Sequence, residues 1–232
     1  MSSQTPVTLG YWRIRGLRQP IVYCLEFAGI EYTEELYDIV PDSEGKYNFE
    51  SSYKDSKWGS EVKPNSDMDF PNLPYLVDGD IKITQCKAIM SHVCRKAKVL
   101  VPTSDKSQTK MEMMVGVLGD FHMAFVRICY GGIEGALEAY LKDEKFSDWC
   151  KKLNKYFSAN QFCAGDELTW CDMYMYEVLD VHMELCGAEV FAEFQELTKY
   201  HAKIGSLEKI KAYRDSERFF KRPCNNLSAK FY

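Results

Sequence analysis

The hydrophobic period of the chain changes once, near KVLVPTSD at positions 98–105, and no other feature narrows the possible folds as far. Upstream, a period of two alternates with a helical period. Residues 7–11 read as a strand. A helix follows, with Ile21, Cys24, Leu25 and Ala28 on one face, Gly29 at its end and Pro20 in its first turn, where an N–H has no helical partner to lose. Residues 31–37 alternate as a second strand, and the polar stretch 41–69 reads as a long loop with one short helix around 53–58. In DFPNLPYLVDGDIKIT, residues 75–77 and 81–83 form two short strands, with Asp78-Gly79 as the hairpin signal. Residues 85–96 are helical, with Ala88, Ile89, Val93 and Ala97 as the apolar stripe.

Downstream of the change the period is helical almost throughout. Met111, Met114, Val115, Leu118 and Phe125 form one stripe, and Phe146, Trp149, Cys150, Leu153 and Phe157 another. Thr169-Trp170-Cys171-Asp172 is a capping-box variant opening a helix that carries Tyr174, Val178, Val181 and Leu185. Ile204, Leu207, Ile210 and Tyr213 predict a last helix, and the tail from Pro223 is irregular. The architecture is a small α/β domain over 5–97, a linker over 98–105 and an all-helical domain over 106–232.

With 46% hydrophobic and 27% charged residues, the 232-residue chain has an ordinary globular composition. The net charge of -5 argues against a general nucleic-acid binder. No apolar run approaches the roughly 18 residues of a membrane span. MSSQTPVTLG lacks the basic start and apolar block of a secretory signal. The nine cysteines include no CxxC pair, so zinc and dithiol redox chemistry lack their usual signature. We expect a reduced, cytoplasmic protein without a metal site and without nucleic-acid or membrane partners.

Two places invite a ligand. In NLPY, Pro74 opens a strand with no N–H to give the ladder. It is either an ordinary trans proline or a cis one that turns the backbone of Leu73 outward, where it offers N–H and C=O to a ligand. Thr84-Gln85-Cys86 stands where the hairpin ends and a helix begins. A helix N-terminus suits a carboxylate, although simple capping accounts for such a triplet as well. Together the two would hold a peptide-like molecule with a carboxylate at one end.

The stretches LGYWRIRGL (9–17), DFPNLPYLVDGDIKITQ (69–85), DFHMAFVRICY (120–130), AGDELTWCDMYMYEVLD (164–180) and SLEKIKAYRDSERFFKRP (206–223) span both domains in order. Over nearly the full length the chain resembles the cytosolic glutathione S-transferases, specifically the mu class. DFPNLPYL with LGYW is highly specific, whereas LTWCD is common to several classes. The resemblance implies a thioredoxin-like first domain, an all-α second domain, and an enzyme that adds the glutathione thiol to small hydrophobic electrophiles. Glutathione is then a co-substrate and no cofactor is bound.

The resemblance implies that Tyr11 is the catalytic hydroxyl; by itself Tyr11 reads equally as a buried strand-end aromatic. A free thiol has a pKa near ~8.5, and only a few per cent is thiolate at neutral pH. A phenol O–H donated to the sulfur contributes roughly 1.5–3 kcal/mol to the anion, about one to two pKa units. The implied glutathione contacts are Trp12, Leu17, Trp58, Lys63, Asn72, Leu73, Gln85 and Cys86, with Asp120 supplied by the partner of a homodimer. Lys63 would meet the glycine-end carboxylate, and Gln85 and Cys86 the γ-glutamyl end. Trp58 and Lys63 also read as a tucked aromatic and a solvated charge of the long loop.

Four positions depart from the family pattern. Asp55 stands where an arginine is common, flanked by Lys54 and Lys57. Cys86 replaces a serine, Arg13 stands at a usually acidic position, and the loop carries an extra residue around 62–64. Arg15 and Arg18 read as solvated or paired charges.

The implied electrophile wall comprises Tyr11, Ile14, Leu17, Met123, Arg127 and Tyr130, with Asn225 and Asn226 from the tail. His122 is either a substrate contact or a partly exposed helical histidine. Phe70 resembles the aromatic key that inserts into the partner subunit, which predicts a two-fold homodimer. Two other readings stay open: a non-catalytic binder of apolar ligands, and a dedicated glutathione-dependent isomerase of sigma type, against which DFPNLPYL and Phe70 argue.

Overall fold

The computed structural model describes residues 6–232, except for the side chains at 49, 51 and 52. The expected domain start at residue 5 lies outside the described residues. Two compact units form: the chain up to residue 97 together with 220–228 and 232, and residues 98–219 with 229–231. The tail differs from the sequence expectation, which kept it with the helical domain. In the first unit the carbonyls of Pro223 and Cys224 accept the N–H groups of Arg15 (2.9 Å) and Gly16 (3.0 Å). These bonds join positions some 200 residues apart, which no local period reports.

The first unit is a four-stranded sheet in the order β2-β1-β3-β4. β1 (Val7–Trp12) runs parallel to β2 (Tyr32–Tyr37), and a parallel pair needs a crossover, here α1 (Arg18–Ala28). β3 (Tyr75–Asp78) lies antiparallel to β1 and to β4 (Ile81–Thr84). Asp78 pairs with Ile81, so the hairpin turn is Gly79-Asp80, one residue beyond the expected Asp78-Gly79. The helix α3 (Cys86–Ala97) packs on α1.

The long loop holds two helical pieces rather than one around 53–58: α2 (Phe49–Lys54) and a π-helical turn (Trp58–Val62). Ser56 separates them. Its hydroxyl donates to the Tyr53 carbonyl (2.7 Å) and accepts the Gly59 N–H (3.1 Å). Such side-chain bonds to the backbone compete with helix continuation.

The second unit is helical: α4 (Asp105–Tyr130), α5 (Ala136–Lys142), α6 (Glu144–Ala159), α7 (Trp170–Cys186), a 3-10 turn (Ala188–Phe191), α8 (Gln195–Gly205) and α9 (Glu208–Arg214). By length and composition α4 is apolar enough to cross a bilayer, with an 18-residue window of mean hydropathy 1.3. Lys110, Glu112, Asp120 and Arg127 interrupt its apolar residues, so no unbroken apolar run marks it in the sequence. Its buried Met111, Met114, Leu118, Phe121, Phe125 and Cys129 recur every three or four positions, the pattern of a helix packed on others, and α5 and α7 are among them. α7 is buried at every position from Trp170 to Asp180, so it is a central helix rather than one with a single stripe, and Val181 and Leu185 fall at its less buried end. The expected last helix is two helices, because Leu207 turns extended at ψ 126.

Candidate functional site

β1 alternates, with Val7, Leu9 and Tyr11 on one face and Thr8, Gly10 and Trp12 on the other. Tyr11 is buried near the strand's end, and its hydroxyl accepts the backbone N–H of Leu17 at 3.1 Å. The chain returns to it through a tight turn. Gly16 takes φ +36, and a Cβ there would stand 2.8 Å from the Tyr11 hydroxyl oxygen. Glycine is required twice over, by the backbone angle and by the close approach. The backbone of this turn is further held by the tail carbonyls, and Gln19 N–H bonds back to the Arg15 carbonyl at 3.1 Å to start α1.

On the other face of β1 stands an aromatic cluster. Trp58, 1% exposed, stacks on Tyr75 (centroids 5.7 Å apart, 22°) and tilts against Tyr37 (5.5 Å). Trp12, Tyr53, Val62, Met68, Leu73 and Val77 pack around it. The Trp58 side chain is thus a core residue of its loop. Lys63 follows the π-helical turn, half-buried, with its ammonium 5.2 Å from the centre of the Tyr53 ring. Lys54 is bound at 2.5 Å to Glu50 on its own helix, and Asp55 is exposed beside it.

The Leu73–Pro74 bond is cis. Asn72 is exposed, and its side-chain oxygen accepts the Leu73 N–H at 3.0 Å. That N–H, expected to face a ligand, is held by the neighbouring amide in this structure. Gln85 is exposed with φ 74, a left-handed conformation that costs a non-glycine residue roughly 1–3 kcal/mol and recurs at ligand sites. Its carbonyl accepts the Ile89 N–H (3.0 Å) at the start of α3. Cys86 is buried, and its thiol donates to the Leu17 carbonyl at 3.4 Å. The thiol therefore ties the start of α3 to the same turn that serves Tyr11.

The arginines divide. Arg13 pairs with Asp38 at 2.6 Å on the surface, which supplies a partner for the charge that departs from the family pattern. Arg15 and Arg18 are buried, not solvated. Arg18 grips both oxygens of Glu34, one at 2.7 Å, and lies 4.3 Å over the Phe220 ring. Ile14 is buried and Asn225 half-buried in the same unit, while the Asn226 side chain accepts the Ser228 N–H at 2.9 Å. Phe70 is 78% exposed, its carbonyl anchored by the Thr84 hydroxyl at 3.0 Å.

In the helical unit, Met123, Arg127, Tyr130 and Asp120 are exposed on α4. His122 is committed: its Nδ1 lies 2.7 Å from the Tyr174 hydroxyl. A cavity of about 420 Å³ between the end of α6 and α8 contains none of the expected residues. Its lining mixes Asp166, Glu196, Lys199 and Lys203 with the buried Tyr200, whose hydroxyl is bound to Asp172.

Sequence reasoning passed over Glu35, Tyr37, Tyr75, Gly10 and Gly16. The same-face spacing of Glu35 and Tyr37 on β2 was legible. Their meeting with Tyr75 needs the sheet register, which was not.

A model of the N-terminal domain of glutathione S-transferase matches residues 7–95, and a model of its C-terminal domain matches residues 119–217. Glutathione S-transferase Mu 5 of Mus musculus is 37% identical over all of this chain and 97% of its own length. Glutathione S-transferase class-mu 26 kDa isozyme 51 of Fasciola hepatica is 34% identical over 97% of this chain and 96% of its own. Among solved structures, the glutathione S-transferase Blo t 8 superposes with a TM-score of 0.82 at 26% identity, covering 96% of this chain and 98% of that one. The chain belongs to the glutathione S-transferase family, in its mu class, and is a transferase that uses glutathione as substrate.

Proposed function

We propose that Tyr11 activates the glutathione thiol and that the thiolate then attacks small hydrophobic electrophiles. The Leu17 N–H at the Tyr11 oxygen carries this reading. A donor at the phenol oxygen draws charge from it and makes its O–H the stronger donor toward a sulfur anion. The hydroxyl is held by a buried strand and a turn rather than by a flexible loop, which favours catalysis by a fixed donor. The γ-glutamyl end meets Gln85 and Cys86 at the N-terminus of α3, and Trp12, Leu17, Trp58, Asn72 and Leu73 hold the rest. Lys63 serves the glycine-end carboxylate, since it directly follows the π-helical turn that carries Trp58. Ile14 and Asn225 of the first unit, and Met123, Arg127 and Tyr130 on α4, are the proposed electrophile contacts. His122 joins them only by giving up Tyr174. The exposed Phe70 supports a homodimer, with Asp120 reaching the partner's glutathione.

The test is conjugation of a chloronitrobenzene by native protein and Tyr11→Phe, with ultraviolet titration of the bound thiol. The variant should lose roughly 10- to 100-fold in rate, its bound thiol should titrate about one to two pH units higher, and its glutathione affinity should stay close to native. Equal rates and equal thiol titration in both proteins would remove Tyr11 from the mechanism.

A further inference from the structure

Glu35 of β2, Gly10 of β1 and Tyr75 of β3 stand in one row across the sheet, with Gly10 paired to both neighbours. A Cβ on Gly10 would lie 2.1 Å from the Tyr75 ring, so the ring fills the space that any larger residue would occupy. Lying across β1, it carries its hydroxyl to the strand beyond and donates to Glu35 Oε2 at 2.5 Å. Tyr37, on the same face of β2, reaches the same oxygen at 3.0 Å, and the two phenol oxygens are 2.8 Å apart. One exposed carboxylate thus holds the far ends of two buried rings, through hydrogen bonds of the strong, charge-assisted kind.

Those two rings are the platform for Trp58. Trp58 comes from a loop with only a short helix and a π-helical turn to fix it, so its position depends on what it stacks upon. Trp12 and Leu73 pack against the same cluster. Three of the residues proposed to hold glutathione therefore rest on rings whose tilt is set from outside the site. We infer that Glu35 is a positioning residue for glutathione binding, acting through Tyr75 and Tyr37 on Trp58. The inference rests on the assignment of Trp58 as a glutathione contact.

The experiment compares Glu35→Leu, Glu35→Gln and Trp58→Ala in the full chain. It reads KM for glutathione and for the electrophile, kcat, glutathione quenching of tryptophan fluorescence, and the thermal midpoint. Glu35→Leu should raise KM for glutathione about fivefold to tenfold while kcat and the electrophile KM stay within about twofold. Glu35→Gln keeps an acceptor oxygen and should recover most of the loss. If Glu35→Leu does not fold, Tyr37→Phe with Tyr75→Phe removes the same bonds while keeping both rings, and the same rise is expected. The inference is overturned if glutathione KM stays near native in Glu35→Leu while Trp58→Ala raises it. It is overturned equally if the loss falls on kcat, or if Gln fails to rescue. A Trp58→Ala protein with native glutathione affinity would instead overturn the assignment of Trp58.

Discussion

The Tyr11 hydroxyl oxygen lies 2.8 Å from where a Cβ on Gly16 would stand, and 3.1 Å from the Leu17 nitrogen that donates to it. The turn and the phenol are therefore one unit. Gly16→Ala adds a methyl that must displace the hydroxyl, and it forces an L residue to φ +36. Stability should fall by roughly 1–2 kcal/mol. Conjugation should fall further, by about tenfold, because the hydroxyl leaves its fixed position. The pH profile of kcat/KM separates the two effects: its thiol limb should move toward the ordinary thiol value of about 8.5.

Arg13 and Asp38 form a surface pair, their side chains 54% and 72% exposed. Such pairs contribute little, because water and salt screen them. Arg13→Ala should change stability by no more than about 0.5 kcal/mol in urea unfolding. Glutathione KM should stay native, because Arg13 continues β1 toward β2 and Tyr37 accepts its N–H, a backbone bond the substitution keeps.

Legibility followed range. The Thr169–Asp172 box and the order of strands and helices along the first domain were readable because each depends on residues a few positions apart or on a motif. Arg18 was not: its partner Glu34 is 16 positions away on another element, and that bidentate grip, with the Phe220 ring against the guanidinium, offsets the cost of burying the charge. The tail was not, because an irregular segment has no period to read. The split of the loop helix at Ser56 came from a hydroxyl bonding the Tyr53 carbonyl three positions back, which composition does not distinguish from a helical serine. Within the site, the motif gave residue identities, while the Glu35–Gly10–Tyr75 row needed the register.

His182 is fully buried among Phe121, Phe125, Phe146 and Phe191. Its Nδ1 faces the Val178 carbonyl at 2.7 Å, so that nitrogen carries the proton, and Nε2 accepts from the Tyr140 hydroxyl at 3.2 Å. The neutral ring is satisfied at both ends. Burial, reinforced by His122 and opposed by the Val178 bond, pushes its pKa down to about 3. The folded value lies below the unfolded one, so the unfolded chain takes up the proton first. The stability contribution is complete above about pH 6.5 and is lost as pH falls toward about 3, by up to roughly 1.4 kcal/mol per pH unit. His182→Leu should lower stability at neutral pH but flatten this acid limb by up to one proton, as read from urea unfolding across that range.

Asp172 is buried at the start of α7 and accepts from the Thr169 N–H (2.7 Å), the Thr169 hydroxyl (3.1 Å), the Cys163 N–H (2.8 Å) and the Tyr200 hydroxyl (2.8 Å). Burial pushes its carboxyl above the ordinary carboxylate value, while these donors pull it back. One side chain thus caps α7, fixes the loop before it and receives α8 through Tyr200. Asp172→Ala would strand these donors in a dry interior, where each unpaired group costs about 1–3 kcal/mol. Some donors can find new partners as the loop relaxes, so the net loss should be roughly 3–5 kcal/mol in urea unfolding at neutral pH. Tyr200→Phe removes one donor together with its need for a partner, and should cost only about 1 kcal/mol. Similar losses in the two variants would mean that Asp172 acts through Tyr200 alone, and that the cap on α7 contributes little.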